Sequence, residues 1–381
     1  MSSNQLYNKS NSILEMYGQN QKYFDVLNRI LAIDFKKHIT SNSDPLSLAL
    51  NDLKSNQTTP DSNESKFTLK PHVLEEITRL YDNELPRYLR YRYMYDIYPT
   101  AKKVGLYPPL VQIEPSSICN YRCVFCYQTD ERLNTKKNGH MGFMNIGLFK
   151  GLIDQLEGNV EAITLASRGE PSLNSYLPEM LSYMNGKFLA NKVNTNASLL
   201  TESLSHAILS SNLQTLVFSA DAAAEPLYSK LRVGGNLERV VGNIKRFHEI
   251  KIQHYPNSRL ITRVSGVHVQ EDQDMNEMVE FWNHYVDQVA FVDYNPWENV
   301  YDANKNNILT PCSDLWRRMF VWWDGRIGPC DVDYLTTLSN EIYPNISISD
   351  VWNGNTFAKL RFKHMNSQRQ SINPCSSCIL V

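Results

Sequence analysis

The sequence contains little that would suit a membrane, secreted or nucleic-acid-binding protein. Its 38 lysines and arginines are matched by 40 acidic residues, so the formal net charge of −2 offers no attraction for nucleic acid or anionic lipid. No apolar run reaches the roughly 18 residues of a membrane-spanning helix, and residues 1–5 have neither the basic nor the apolar segment of a secretory signal. We therefore expect a soluble cytoplasmic protein with no nucleic-acid partner and no membrane partner.

Cysteine is also scarce, and its count is odd. Seven cysteines in 381 residues argue against a disulfide framework, which uses cysteines in pairs, and for metal ligation in a reducing compartment. All seven fall into two groups, at 119–126 and 312–378. We therefore expect two metal sites and no spare thiol.

Residues 1–105 are predicted to form a helical extension. Apolar residues recur at helical spacings over 11–37 and again over 72–95, where Pro86 is expected to break or kink the helix. Between these stretches, residues 40–70 are rich in Ser, Asn, Thr and Pro, which predicts a mobile linker with a short helix inside it. Nothing in this composition indicates what the extension does.

From residue 110 the pattern changes to short β-rich runs that alternate with helical patterns, as in βαβ units. Strands are predicted at 110–114, 160–165, 188–194, 213–219, 260–267 and 287–293, and helices at 145–157, 173–186, 201–211, 236–250 and 273–285. The predicted fold class is α/β, with a partial (β/α)6 TIM-type barrel over 106–300 and a small C-terminal β-hairpin and helix domain over 301–381. Polar motifs follow each predicted strand, where barrel enzymes carry their chemistry.

Three cysteines, Cys119, Cys123 and Cys126, lie in one short loop after the first predicted strand. A cubic [4Fe–4S] cluster normally takes one protein ligand at each of its four irons, so three thiolates leave one iron open. A structural zinc ion would need a fourth ligand, and the nearest candidate is His140, which lacks zinc-like spacing. The spacing therefore favours a cluster with an open iron over a zinc site.

The CxxxCxxC loop, with aromatic Phe125 before its last cysteine, resembles that of the radical SAM superfamily. The resemblance implies that the open iron chelates S-adenosylmethionine (SAM). It also implies that the reduced cluster cleaves SAM to a 5′-deoxyadenosyl radical, which abstracts a hydrogen atom from the substrate. A flavodoxin- or ferredoxin-type protein is then the expected electron donor.

Further motifs are similar to the SAM-binding segments of that superfamily. The run 168–171 resembles its Gly-Gly-Glu-Pro motif, although Arg168 replaces the first glycine. By this resemblance Glu170 holds the methionyl amino group and Arg232 pairs with the methionyl carboxylate, while Asn196 approaches the ribose. The SAM-binding residues that the resemblance implies are Phe125, Gly169, Glu170, Asn196, Ser219, Asp221 and Arg232. All of them except Phe125 also have an ordinary structural interpretation as turn or surface residues.

The second cysteine group consists of Cys312, Cys330, Cys375 and Cys378. Residues 324–325, Asp-Gly between apolar runs, predict a hairpin turn that brings the chain back to Cys330. Four cysteines are enough to ligate a whole auxiliary [4Fe–4S] cluster, and the layout resembles the one-cluster "twitch" version of the SPASM domain. A four-cysteine zinc ribbon is the main alternative.

With all seven thiols used, the closest functional resemblance is to the one-cluster radical SAM alcohol dehydrogenases. It implies oxidation of a carbinol in a sugar- or aminocyclitol-type molecule, with the auxiliary cluster as electron acceptor. The alternatives are a peptide-modifying radical SAM/SPASM enzyme that forms a carbon–carbon bond or an unsaturated residue, and a non-catalytic zinc scaffold. The catalytic base stays unassigned; the candidate substrate-facing residues are Arg263, His268, Asp293, Tyr294, Trp297 and Glu298.

Overall fold

The computed structural model of the chain describes residues 7, 13–17, 23–55, 65–269 and 273–381. Its strands are β1 (Ile13–Tyr17), β2 (Leu110–Ile113), β3 (Arg122–Cys123), β4 (Ala162–Leu165), β5 (Lys192–Thr195), β6 (Thr215–Ser219), β7 (Arg232–Val233), β8 (Ile261–His268), β9 (Gln288–Asp293), β10 (Arg318–Val321) and β11 (Ile327–Gly328). Its α-helices are α1 (Tyr23–Leu31), α2 (Pro45–Ser55), α3 (Pro71–Thr78), α4 (Leu85–Ala101), α5 (Glu131–Asn134), α6 (Ile146–Leu156), α7 (Leu177–Met184), α8 (Glu202–Ser210), α9 (Leu227–Leu231), α10 (Leu237–His254), α11 (Met275–Trp282), α12 (Ile348–Asn353) and α13 (Asn355–Met365). None of these helices is both long and apolar enough to cross a bilayer.

The six predicted strands form the centre of one sheet, in the order β2, β4, β5, β6, β8, β9, and all of their pairings are parallel. The five predicted helices appear as α6, α7, α8, α10 and α11, and their buried apolar faces share one core with the strands. Asn145, Thr201 and Asn236 cap three of these helices through their side chains. The partial barrel is therefore confirmed.

The sheet extends beyond these six strands on both sides. On one side β10 adds parallel to β2, and β11 follows antiparallel through the predicted turn, in which Gly325 has a φ of +86°. The predicted hairpin is thus confirmed, but it continues the barrel sheet. On the other side β1 pairs antiparallel with β9. The helix predicted over 11–37 is therefore wrong at Ile13–Tyr17, because pairing with the open edge of β9 decides the backbone there.

Helices α1 to α4 pack at the end of the barrel where its strands begin. Their apolar core includes Leu110 and Ala162, the first residues of β2 and β4, together with Leu189. The predicted break near Pro86 is confirmed, because α3 ends at Thr78 and Pro86 lies in the first turn of α4. The extension therefore covers the N-terminal end of the barrel, opposite the cysteine loop.

Part of the segment predicted as a linker is well packed. Residues 45–55 form the expected short helix, α2, which buries Leu46, Ala49, Leu50 and Leu53. Residues 56–64 lie outside the described residues, and the mobile linker stays a prediction for them. The division of the chain into three domains, with boundaries near residues 105 and 300, also stays a prediction.

Candidate active site and second cysteine site

The cysteine loop leaves the C-terminal end of β2 and lies over the neighbouring strand ends. Its short strand β3 pairs antiparallel with β7, which places Cys123 directly opposite Arg232. The three thiol-bearing residues pack with Tyr121, Phe125 and Leu231. The loop therefore gathers its three cysteines within one apolar surrounding.

Arg232 and Asp221 form a buried ion pair beside this loop. Arg232 Nε lies 2.6 Å from Asp221 Oδ2, and Arg232 Nη1 lies 3.8 Å from Cys123 Sγ. Burial raises the pKa of Asp221, and Arg232 opposes that rise. The other oxygen of Asp221 accepts from the backbone N–H of Val267, at 2.7 Å. Arg232 and Asp221, both predicted to bind SAM, thus form an ion pair with each other. Through Arg232 in β7 and the Asp221–Val267 hydrogen bond, this pair links the cysteine loop to β8.

Gly169 and Glu170 lie against the start of the cysteine loop. A side-chain carbon at Gly169 would come within 2.5 Å of the carbonyl oxygens of Ser116 and Ile118, so only glycine fits there. Glu170 Oε1 accepts from the N–H and hydroxyl of Ser172 and from Thr195 Oγ1, at 2.6 Å for each hydroxyl. Within the part of the chain that the structure describes, Oε2 accepts only from the Asn196 N–H, at 2.7 Å. Glu170 Oε2 therefore keeps capacity to accept from an ammonium group, as the predicted role requires.

Asn196 belongs to a small polar network that joins the end of β5 to the cysteine loop. Its Nδ2 donates to Asn120 Oδ1 at 2.9 Å, and Asn120 Nδ2 donates to Ser198 Oγ at 2.9 Å. Asn120 and Ser198 were missed by sequence reasoning, although both flank predicted motif residues. Ser219 lies half-buried at the end of β6. Asn196 and Ser219 therefore lie at the predicted end of the barrel, and their contacts with SAM stay predictions.

Arg168, the departure from the Gly-Gly-Glu-Pro pattern, is a fully buried cross-link. Its Nε and Nη2 donate to the two oxygens of Glu114, at 2.8 and 2.6 Å, and neither side chain is exposed. Its Nη1 donates to the carbonyl of Tyr334 at 2.8 Å, and the guanidinium lies over the ring of Trp322. Arg168 therefore ties the barrel turn to the C-terminal region.

The second cysteine group surrounds one cavity. Cys312, Cys330, Cys375 and Cys378 all line it, together with His364 and Arg369. Arg369 is buried and donates to the carbonyls of Thr310, Cys375 and Cys378. His364 Nδ1 accepts from the backbone N–H of Cys312, and burial lowers its pKa to about 3. Arg369 thus fixes the C-terminal loop, and all four cysteines line the same cavity.

The chemistry of the donor set fits iron–sulfur clusters at both places. Burial raises the pKa of all seven thiols, so a bound metal centre is needed to ionise them together. Among the residues that the structure describes, no three His, Cys, Asp or Glu side chains are arranged to hold one metal ion. His140 lies beside Trp323, which donates to its carbonyl, and not with the cysteine loop. Cysteine sulfur is the usual ligand of iron–sulfur clusters, and the three-cysteine group is one ligand short of a structural zinc site.

An aromatic bridge, formed by Tyr127, Trp297, Tyr301 and Tyr334, lies between the two cysteine groups. Tyr127 stacks on Tyr334 with ring centroids 5.3 Å apart and contacts Trp297 at 5.9 Å, while Tyr301 meets Tyr334 edge-on at 5.0 Å. These four side chains belong to one apolar cluster that also contains Cys126, Cys312, Cys330 and Cys378. The two cysteine groups are thus joined by continuous packing, which sequence reasoning missed.

The candidate substrate-facing residues divide between the two ends of the barrel. Tyr294 follows β9 and packs beside the cysteine loop, where its hydroxyl donates to Glu298. Trp297 Nε1 donates to the carbonyl of Phe125 at 2.9 Å. His268 and Asp293 are half-buried at the ends of β8 and β9.

Arg263 is the exception among these candidates. It is the third residue of the eight-residue strand β8, so it lies near the start of that strand and lines a cavity at the other end of the barrel. Its prediction as a substrate-facing residue is therefore wrong.

Comparison with known proteins agrees with this geometry. Residues 113–281 match the Radical SAM superfamily, and residues 312–379 match SPASM, an iron–sulfur cluster-binding domain. A probable GTP 3′,8-cyclase of Methanococcus maripaludis is 30% identical over 241 residues, which are 60% of this chain and 76% of that protein. The chain therefore belongs to the radical SAM superfamily and carries a C-terminal SPASM region. These domains imply SAM and [4Fe–4S] clusters as its cofactors.

Two solved structures share the fold. BtrN, a 2-deoxy-scyllo-inosamine dehydrogenase, in complex with AdoMet and 2-DOIA, aligns over 72% of this chain and 94% of that chain, with 17% identity and a TM-score of 0.50. SuiB of Streptococcus suis, bound to precursor peptide SuiA, aligns over 83% of each chain, with 14% identity and a TM-score of 0.53. Because both identities are low, these similarities concern the fold alone.

Proposed function

We propose that this chain is a cytoplasmic radical SAM dehydrogenase that oxidises a carbinol of a sugar- or aminocyclitol-type small molecule to a ketone. When bound, SAM and the three-cysteine cluster supply the radical that removes the carbon-bound hydrogen, and a twitch-type auxiliary cluster supplies an electron acceptor. The hydroxyl proton passes to a protein base. A flavodoxin- or ferredoxin-type protein is the proposed reductant.

The observation that carries this proposal is the aromatic bridge. Burial raises the pKa of Tyr127, Tyr301 and Tyr334, which keeps their phenols protonated and neutral. Their hydroxyls donate to fixed oxygens, with Tyr301 bound to Asp333 and Tyr334 to Asp130, at 2.6 Å each. A set of aromatic rings in mutual contact between two cysteine groups suits an enzyme whose second cluster exchanges electrons with the active site.

Glu298 is the best-placed candidate for the base. It is buried beside the cysteine loop, Tyr294 donates to one of its oxygens, and its Oε2 has no hydrogen-bond partner among the described residues. A carboxylate whose second oxygen is free can accept a proton from a substrate hydroxyl. Tyr294 would position it.

The experiment is substrate-stimulated release of 5′-deoxyadenosine from the anaerobically reconstituted, reduced enzyme. Aminocyclitols and nucleotide sugars are compared with peptides. We expect stimulation by a polyol and a ketone product that has lost two hydrogens. A Cys375→Ala variant should retain cleavage of SAM but lose the ketone, because the first cysteine group stays intact.

A peptide-modifying function is the second candidate, because the fold shared with SuiB extends over 83% of this chain. In the described part of the N-terminal extension, four helices accompany a single strand, β1, which joins the barrel sheet. Stimulation by peptides alone, with a cross-linked or unsaturated product, would replace the dehydrogenase proposal by this one.

A further inference from the structure

A second cavity lies at the end of the barrel opposite the cysteine loop. Its volume is about 150 Å³, and its walls come from α3, α4 and residues at or near the starts of β2, β5, β6 and β8. None of the predicted SAM-binding residues or cysteines lines it. The cavity is therefore separate from the site described above.

The lining of this cavity is strongly cationic. Among the described residues, the lining includes two carboxylates, Glu76 and Asp96, and five cationic side chains, which are Lys70, Arg92, Lys192, Arg263 and Arg317. Arg92 is paired with Asp96 at 2.9 Å. The lining thus keeps a surplus of positive charge in a partly enclosed space, where such charge is costly unless an anion balances it.

Arg263 marks the place where an anion would bind. The residue is only 7% exposed, and its Nε donates to Gln288 Oε1 at 2.8 Å. Its Nη2 has no hydrogen-bond partner among the described residues, and the same is true of Arg92 Nε. Buried guanidinium N–H groups normally have hydrogen-bond acceptors. A buried donor without an acceptor carries the full free-energy cost of its desolvation.

Lys192 is a second indication that positive charge in this cavity lacks a partner. The pKa of Lys192 is lowered to about 8, mainly by burial and secondly by the positive charge of the nearby Arg263. Both residues line the cavity, so their positive charges repel each other unless an anion binds there. A bound anion would restore both the full charge of Lys192 and a partner for Arg263.

We propose that this cavity binds a phosphoryl group, either as inorganic phosphate or as part of a small phosphorylated metabolite. The planar fork of an arginine matches the oxygens of a phosphoryl group, and lysine adds a point charge. The volume admits such a group with several waters but is smaller than the usual pocket for a drug-sized molecule. Because α3 and α4 share its walls with the barrel strands, the anion would fasten the N-terminal extension to the barrel.

Isothermal titration of the cluster-loaded protein with sodium phosphate at constant ionic strength tests this proposal. We expect saturable binding to the unmodified protein and to Lys359→Met, which removes an exposed lysine of α13. Lys192→Met and Arg263→Met should each weaken binding by roughly tenfold or more. Phosphate should also raise the thermal unfolding midpoint, as any ligand of the folded state does.

A further expectation keeps the test decisive if Arg263→Met does not fold. Without phosphate, Lys192→Met should unfold at an equal or higher temperature than the unmodified protein, because one opposed charge is gone. Tighter binding of glycerol 3-phosphate than of phosphate would identify a metabolite as the ligand, and the reverse would identify phosphate. Absence of saturable binding, equal binding by Lys192→Met, or a preference for succinate would overturn the proposal.

Discussion

Removing Arg168 should destabilise the protein far more than removing an ordinary arginine. In Arg168→Met, the carboxylate of Glu114 stays buried but loses both guanidinium donors, and breaking a buried pair in this way costs about 3–5 kcal/mol. An unfolding entropy near 2.1 cal/mol/K per residue gives roughly 0.8 kcal/mol/K for this chain. The expected loss in the thermal midpoint is therefore about 4–6 °C, measured anaerobically on the cluster-loaded protein.

The double variant Glu114→Gln/Arg168→Met provides the control. Glutamine removes the charge but keeps one acceptor oxygen. That oxygen can accept from one of the two backbone N–H groups that donate to Glu114, either Arg168 N–H, now on Oε1 at 3.1 Å, or Trp323 N–H, now on Oε2 at 3.2 Å. The double variant should therefore unfold at a clearly higher temperature than Arg168→Met. A shift below about 1 °C in the single variant, or no recovery in the double variant, would refute the assignment of a buried charged cross-link.

Three further results are expected. Replacing Cys119, Cys123 and Cys126 by alanine should lower the iron content from about eight to about four atoms per chain and abolish SAM cleavage. Iron analysis and 5′-deoxyadenosine release measure the two effects, and retained cleavage would contradict the assignment of these cysteines to the SAM-binding cluster. Tyr127→Leu should lower the ketone yield per 5′-deoxyadenosine formed whereas Tyr127→Phe should not, and equal yields would remove the bridge from the mechanism. Glu298→Gln should lower ketone formation by about 10²- to 10⁴-fold, whereas a normal rate would exclude it as the base.

The barrel was predictable because its strands and helices are marked locally. Each of the six central strands has buried residues, and capping residues such as Asn145 and Asn236 precede the helices. Motif residues that follow strands, such as Glu170 and Asn196, necessarily meet at one end of a parallel barrel. The proximity of Glu170 and Asn196 could therefore be predicted from the sequence alone.

Features that depend on distant partners could not be predicted from local patterns. The strand β1 is decided by the edge of β9, far along the chain. The role of Arg168 depends on Glu114, and that of Arg232 on Asp221, neither of which leaves a periodic signal. Arg263 was misplaced because its position within a long strand, and not its chemistry, decides which end of the barrel it faces.

The parallel pairing of β10 with β2 has a consequence for how the chain is made. Arg318 and Leu110 are partners in this ladder, so β2 emerges from the ribosome roughly 200 residues before its neighbour exists. Until then one side of the nascent barrel presents unpaired N–H and C=O groups, which invite pairing with other chains. Completion of the sheet and assembly of the second cysteine group therefore belong to the same late event in biosynthesis. A truncated product of this gene would be prone to aggregate rather than persist as a one-cluster enzyme.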